Sequence, residues 1–205
     1  WGVARDVCAY LSYHEGNSLF AKLPKDKVQE KGLQKNPISI SIENEDACKR
    51  YCGVYISNVT VGESPEWLKN RLNAIGQKSI NNIVDITNYI LHETGQPLHA
   101  FDADKITGQQ VIVKTIAKDT VFKTLDEKER KLGDADLMIC NSKEPMCMAG
   151  VYGGMESGVT ALTKNIFLES AWFHPVSIRR TSLLHQLRTD AATRFEKGVD
   201  ISQTF

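Results

Sequence analysis

The sequence predicts an α+β fold, with a mixed β-sheet or sandwich core and helices packed around it. From residue 37 on, helical patterns gather in two places, residues 64–95 and 175–197, while short strand patterns occupy most of the remainder. Strands and helices do not alternate one by one, as regular βαβ winding would require. Residues 137–140 and 146–151 are nearly continuous apolar runs, the mark of strands buried on both faces.

Taken in order, residues 1–13 read as a short helix with Val3, Val7 and Leu11 on one side. It opens in mid-pattern without a cap, and the chain stops as abruptly at Phe205, so a piece of a longer protein is expected. Residues 14–36 are polar and lysine-rich, and residues 1–36 are expected to be the end of a preceding domain with its linker; residues 37–205 form the main domain. Ile38, Ile40 and Ile42 alternate with polar residues, the period of a half-buried strand, and residues 51–61 form a second. Ser64 is expected to cap a helix with Pro65 at its first position, Trp67, Leu68, Leu72 and Ile75 on its apolar side and Gly76 at its end.

Residues 80–94 carry the next helix, with Ile83, Ile86, Ile90 and Leu91 at the spacing of one buried face. Gly95 and Pro97 end it, and His99 follows on an exit segment. Residues 111–116 and 120–125 read as strands, with a hairpin turn at 125–128 that lacks the glycine of a strong turn signal. Residues 166–173 form a last apolar strand, and helices over 175–186 and 190–197 close the chain.

Lys+Arg and Asp+Glu balance at 25 each, which argues against indiscriminate nucleic-acid binding but allows a local basic patch. Cys8, Cys48, Cys52, Cys140 and Cys147 lack paired CxxC spacing, so reduced thiols in a cytosolic protein are expected, with no metal site. His92-Glu93 is followed by its next histidine only beyond the helix-ending Gly95, which rules out a zincin helix. No run of eighteen apolar residues suggests a membrane span, and no leader pattern is seen at the N-terminus.

Polar groups in unexpected places mark where chemistry could sit. Thr87 falls on the apolar stripe of its helix, Asn88 lies at the edge of it, and His99 follows eleven residues later. Glu169 interrupts the strand IFLESAWF; it is either an edge glutamate in water or an inward acid sharing a face with Phe167 and Ala171, which would need a partner. Ala149 and Gly150 leave room for a ligand near the backbone. The glycines of AGVYGGMESG lack any phosphate-loop spacing and read as a loop. His185, Arg188, Arg194 and Lys197, with Arg179 and Arg180, make the closing helices basic, as a solvated face or a phosphate contact. Thr189 and Ala191 sit at the mouth of the last helix, whose free N–H groups could hold an anion or water. No GxSxG elbow and no activated thiol stand out.

Four stretches, INNIVDITNYILHETGQPLHAFD, AGVYGGMESGV, LESAWFHPVSIR and LRTDAATRFEKGVD, occur in an order that closely resembles the editing domain of the bacterial phenylalanyl-tRNA synthetase beta subunit. The resemblance covers residues 46–200, and residues 1–13 resemble the end of the domain before it. It implies a cytoplasmic domain that hydrolyses tyrosine mistakenly joined to tRNA(Phe), inside an α2β2 heterotetramer with the alpha subunit. ATP and magnesium would serve the ligase reaction elsewhere in that enzyme, and editing itself would need no cofactor. Glu169 matches the acid that receives the tyrosine hydroxyl, and Ala149 and Gly150 match small residues beside the ring. Thr87, Asn88 and His99 match the polar group at the aminoacyl end, as the catalytic candidates; Thr189 and Ala191 match the far wall. Lys78 stands where the family has an arginine, which removes the planar fork from any contact with the tRNA end. The competing expectation is a non-catalytic tRNA-docking or subunit-interface module with a degenerate pocket.

Overall fold

The computed structural model describes residues 1–22 and 35–204. Most of the lysine-rich linker expected over 14–36 therefore lies outside the described residues. Helix α1 (Gly2–Glu15) buries none of its residues and ends at Gly16 in the left-handed conformation. The Val3–Val7–Leu11 side therefore covers no core; Val3 and Val7 are exposed.

The strands of the main domain form two principal sheets. In the first, β1 (Ser39–Ile42), β4 (Gln110–Thr115), β7 (Leu137–Cys140), β8 (Pro145–Met148) and β9 (Tyr152–Gly153) lie side by side in that order. Only β1 with β4 is parallel in this sheet; the other pairs are antiparallel. All four residues of β7 are buried, as its unbroken apolar run implies. In the second sheet, β10 (Ile166–Phe173) is central, between β2 (Cys48–Ile56) and β3 (Leu98–Asp102). One continuous buried cluster joins the two, with Val111, Val113, Ile139 and Met148 from one sheet and Phe101, Phe167, Ala171 and Phe173 from the other. β5 (Val121–Lys123) and β6 (Glu129–Lys131) make a separate hairpin. Its turn holds Glu127 at φ 63°, the left-handed place where a glycine would rest without strain.

Helix α2 (Glu66–Ala74) packs on α3 (Asn82–Thr94), and α3 packs on β3. Two expectations for these helices need correction. Ser64 does not cap α2: the capping residue is Pro65, with no side-chain hydrogen bond. The Ser64 hydroxyl goes instead to Asp85 Oδ2 at 2.5 Å. Asp85, 0% exposed, also accepts from Ser79 Oγ (2.5 Å) and the Ile80 N–H (2.8 Å). A buried carboxylate with three donors is satisfied, and it ties the α2–α3 connection to the helix.

With that anchoring, α3 buries only part of the expected stripe. Its buried residues are Asp85, Thr87 and Leu91, while Ile86 is 48% exposed. On α2 only Leu68 and Leu72 are buried, and Trp67 and Ile75 are exposed. The ends behave as their residues require: Asn81 Oδ1 accepts from the N–H groups of Ile83 and Val84, and Gly95 closes the helix at φ 89°. Helices α4 (Pro175–His185) and α5 (Asp190–Glu196) complete the domain. Among the described residues no helix is long and apolar enough to cross a membrane.

Candidate functional site

Strand β10 settles the position of Glu169. Phe167, Glu169, Ala171 and Phe173 are buried and the residues between them are less so, so the acid points inward at 4% exposed. Antiparallel pairing sets Glu169 directly opposite His99 on β3 and opposite Gly53 on β2. Directly opposed residues project from the same face of a sheet. His99 is therefore not on a loose exit segment: β3 fixes it beside the acid.

Both side chains reach one small cavity of about 80 Å³. Pro97, Leu98 and His99 line one side, Cys147 and the Gly150–Gly153 turn another, and Glu169, Ala191 and Phe195 the rest. Four residues expected at a site thus meet here: His99, Gly150, Glu169 and Ala191. Ala149 is buried next to the lining, and Thr189 braces it, donating to the Val151 carbonyl at 3.0 Å while its oxygen caps α5. Thr87, Asn88 and Lys78 are not in the lining. The Thr87 hydroxyl is spent on the Val84 carbonyl of its own helix (2.7 Å), and Lys78 is exposed.

Gly150, at φ 66°, has a second reason to be glycine. A Cβ there would stand 2.8 Å from Phe195 and 2.9 Å from Phe173, so the missing side chain makes room for these rings as well as for any ligand. A Cβ at Gly153 would meet Leu125 at 2.8 Å and the His99 ring at 3.4 Å, so that glycine gives the imidazole its place.

The two polar groups of the cavity differ in kind. Nε2 of His99 is buried and has no hydrogen-bond partner, and the ring meets Phe101 edge-on at 4.5 Å. Burial lowers its pKa from 6.5 to about 4, so the imidazole is neutral at ordinary pH. Glu169 accepts the Tyr51 hydroxyl at Oε2 (2.7 Å); no donor among the described residues reaches Oε1. Burial raises its pKa from 4.5 to about 7, against the lowering effect of the Tyr51 hydrogen bond. Tyr51 was not singled out as a functional residue from the sequence. Its one signal was the period-two pattern of β2, which puts Tyr51 and Gly53 on one face.

These shifts predict an unusual pH response. His99, depressed in the fold, stabilises the protein above pH 6.5 and loses that contribution as pH falls through about 4. Glu169, raised in the fold, contributes below pH 4.5 and loses that contribution as pH rises through about 7. Between 4.5 and 6.5 the slopes oppose, because folding takes a proton from one group and gives one to the other. The pair should leave stability nearly level there. Glu169→Gln should expose the His99 slope, a loss of about 3 kcal/mol from pH 6.5 to 4, read from denaturant unfolding across that range. A variant with the native pH dependence would refute this balance.

Around the cavity, Asp190 accepts from Gln77 Nε2 at 2.6 Å and lies 4.0 Å from His92 Nε2. The residue after Gln77 is Lys78 and the residue after Asp190 is Ala191, so the α2–α3 connection is fastened to the cavity wall. Of the basic residues on the closing helices, Arg179, Arg180, Arg188, Arg194 and Lys197 are exposed. His185 is not part of that face: it is buried, its Nε2 2.6 Å from Asp136 Oδ2. No group of three or more His, Cys, Asp or Glu among the described residues could hold a metal ion.

A family model described as the B3/4 domain matches residues 47–205. The phenylalanine–tRNA ligase beta subunit of Bacteroides fragilis is 53% identical over 202 residues, covering 98% of this chain and 24% of that protein. That of Porphyromonas gingivalis is 53% identical over 205 residues, 100% of this chain and 25% of that protein. That of Carboxydothermus hydrogenoformans is 47% identical over 200 residues, 98% and 24% respectively. The crystal structure of an N-terminal fragment of the phenylalanyl-tRNA synthetase beta subunit from Pyrococcus horikoshii aligns with a TM-score of 0.49 at 16% identity, covering 85% of this chain and 52% of that one. The chain spans about a quarter of the length of the curated relatives it matches.

Proposed function

The chain belongs to the B3/4 domain family, and from that membership we propose that it is the editing part of a phenylalanine–tRNA ligase beta subunit, hydrolysing tyrosine esterified to tRNA(Phe). The observation that carries the reading is the cavity between Glu169 and His99, with an unengaged carboxylate oxygen at one wall and an unpaired imidazole nitrogen at another. The need for such a site is physical. An apolar pocket made for phenylalanine rejects an analogue with one added hydroxyl only about 100-fold. A second site that hydrogen-bonds the hydroxyl can reject the molecule lacking it by roughly 10⁴–10⁵, because its polar group would be left unpaired.

In the proposed reaction the substrate phenol donates to Glu169 Oε1, and neutral His99 holds the attacking water or takes its proton. Asn88 and Thr87 would serve the ribose and water beyond the cavity lining, and Lys78 the terminal nucleotide. A cavity of about 80 Å³ is smaller than the roughly 150 Å³ that admits benzene, so the ring enters only if the wall moves. The Thr189–Ala191 segment of that wall is held by the Val151 carbonyl and by Gln77. The proposal places the domain in the cytoplasm, in an α2β2 assembly with the alpha subunit, where the ATP- and magnesium-dependent ligation takes place outside this chain.

Hydrolysis of tyrosyl- and phenylalanyl-tRNA(Phe) by the assembled enzyme tests this. Release of tyrosine at a rate far above that of phenylalanine is expected. Equal rates would refute the reading, and tRNA binding without hydrolysis would mark a docking module instead.

A further inference from the structure

Glu169 already holds one phenol, and it belongs to the protein. Tyr51 is buried on β2, opposite Ala171 in the register and therefore diagonal to Glu169 on the same face. Its hydroxyl donates to Oε2 at 2.7 Å, and its ring lies 6.5 Å from that of Phe173. Tyr51 does not line the cavity, whereas Glu169 does. The other flank of the acid is closed by Phe167, whose ring crosses over Gly53; a Cβ on Gly53 would stand 2.1 Å from it.

Resting on the editing reading above, we propose that Tyr51 is a positioning residue for specificity: by holding Oε2 it turns Oε1 alone toward the cavity, to meet the substrate phenol. A carboxylate has lone pairs enough for a phenol at each oxygen. The site is then a two-phenol acceptor, with one phenol permanent and the other the ligand. A carboxylate free to rotate would share its oxygens among several directions and would grip a visiting hydroxyl less well.

The hydrogen bond also favours the anionic carboxylate against the burial that opposes it. The ionisable groups facing Glu169 are Tyr51 and Cys48 from β2, His99 from β3 and Cys147 from β8, while α5 contributes Ala191 and Phe195. Burial pushes both thiols up, Cys48 to about 12 and Cys147 well above its ordinary value, and burial, followed by the charge of Glu169, raises the Tyr51 phenol. His99 stays neutral down to about pH 4. None of them supplies a compensating charge near neutrality, so Tyr51 is the group that sustains the anion.

Tyr51→Phe in the assembled enzyme tests this, since it removes one oxygen and keeps the ring. KM for tyrosyl-tRNA should rise roughly tenfold, the order of one hydrogen bond to a charged group, with kcat held within about twofold. The acid limb of kcat/KM should move about one pH unit to the alkaline side, and phenylalanyl-tRNA hydrolysis should not fall. Infrared titration of the protonated carboxyl band, with Glu169→Gln identifying the band, should show the same displacement. Native KM with an unmoved carboxyl titration would overturn the proposal, as would equal losses for both aminoacyl groups. If the native enzyme hydrolyses tyrosyl-tRNA selectively, such a result removes Tyr51 and leaves the editing reading standing. If the native enzyme does not, the reading fails and the specificity role fails with it.

Discussion

Glu169→Ala is expected to abolish discrimination between tyrosine and phenylalanine in ester hydrolysis. The effect divides into two parts. Losing a hydrogen bond between a phenol and a charged group costs the tyrosyl substrate about 1.5–3 kcal/mol, or roughly 10- to 150-fold in kcat/KM. Phenylalanyl ester gains at the same time, because no desolvated oxygen is left facing its bare ring edge. Competition between the two aminoacyl-tRNAs would reveal both movements. The variant also strands the Tyr51 hydroxyl, which now donates to Glu169 at 2.7 Å, so a stability loss of about 1–3 kcal/mol should accompany the change. Selectivity that survived in Glu169→Ala would show that the hydroxyl is read elsewhere. Glu169→Gln is the finer probe: it keeps the shape but can offer the ligand an amide N–H, so it should retain part of the binding and lose the acid limb that Glu169 sets on kcat/KM.

The inward direction of Glu169 was within reach of the sequence, because a strict alternation with Phe167 and Ala171 leaves a strand only two faces to choose between. The glycine stops at Gly76 and Gly95 were legible for an equally local reason, since both occupy left-handed positions where a side chain is strained. β3 was not legible. LHAFD becomes a strand by pairing with β10, nearly seventy residues away, and nothing in five residues announces that partner. Without β3, His99 could be named through resemblance but not set opposite Glu169. The buried side of α3 was legible at Thr87 and Leu91 but not at Ile86, which is exposed, nor at Asp85: pattern reading follows apolar residues, whereas Asp85 is buried because it collects three donors. The same carboxylate removed Ser64 from its expected cap. Asn81 and Asn82, at the head of the most telling stretch, are likewise folding devices. One caps α3, and the other holds Thr60 and Gly62. Residues that identify a family and residues that perform its chemistry are therefore mixed within one short segment.

His99→Ala should slow single-turnover hydrolysis of tyrosyl-tRNA by about 10²–10⁴-fold, the usual worth of a positioned proton acceptor, with little change in substrate affinity. The ring has nothing else polar to do at Nε2, which is buried and unpaired. An unpaired buried nitrogen is costly unless a ligand or water completes it, and the cavity is the space in which that can happen. The depressed pKa, about 4, makes His99 a weak base in bulk terms, yet it guarantees the unprotonated form throughout the physiological range. His99 should therefore put no inflection near 6.5 into the native rate, and its own contribution should be lost only as pH approaches 4, below the acid limb that Glu169 sets on kcat/KM. His99→Gln separates the two roles the ring could play, because an amide can hold water but cannot take its proton. Recovery of most of the rate by glutamine would make His99 a water-positioning group, and a deficit as deep as that of alanine would make it the base. An alanine variant with native single-turnover hydrolysis would remove His99 from the chemistry altogether. Catalysis would then have to come from the substrate's own ribose hydroxyl and from groups outside the cavity, with Asn88 the first to replace.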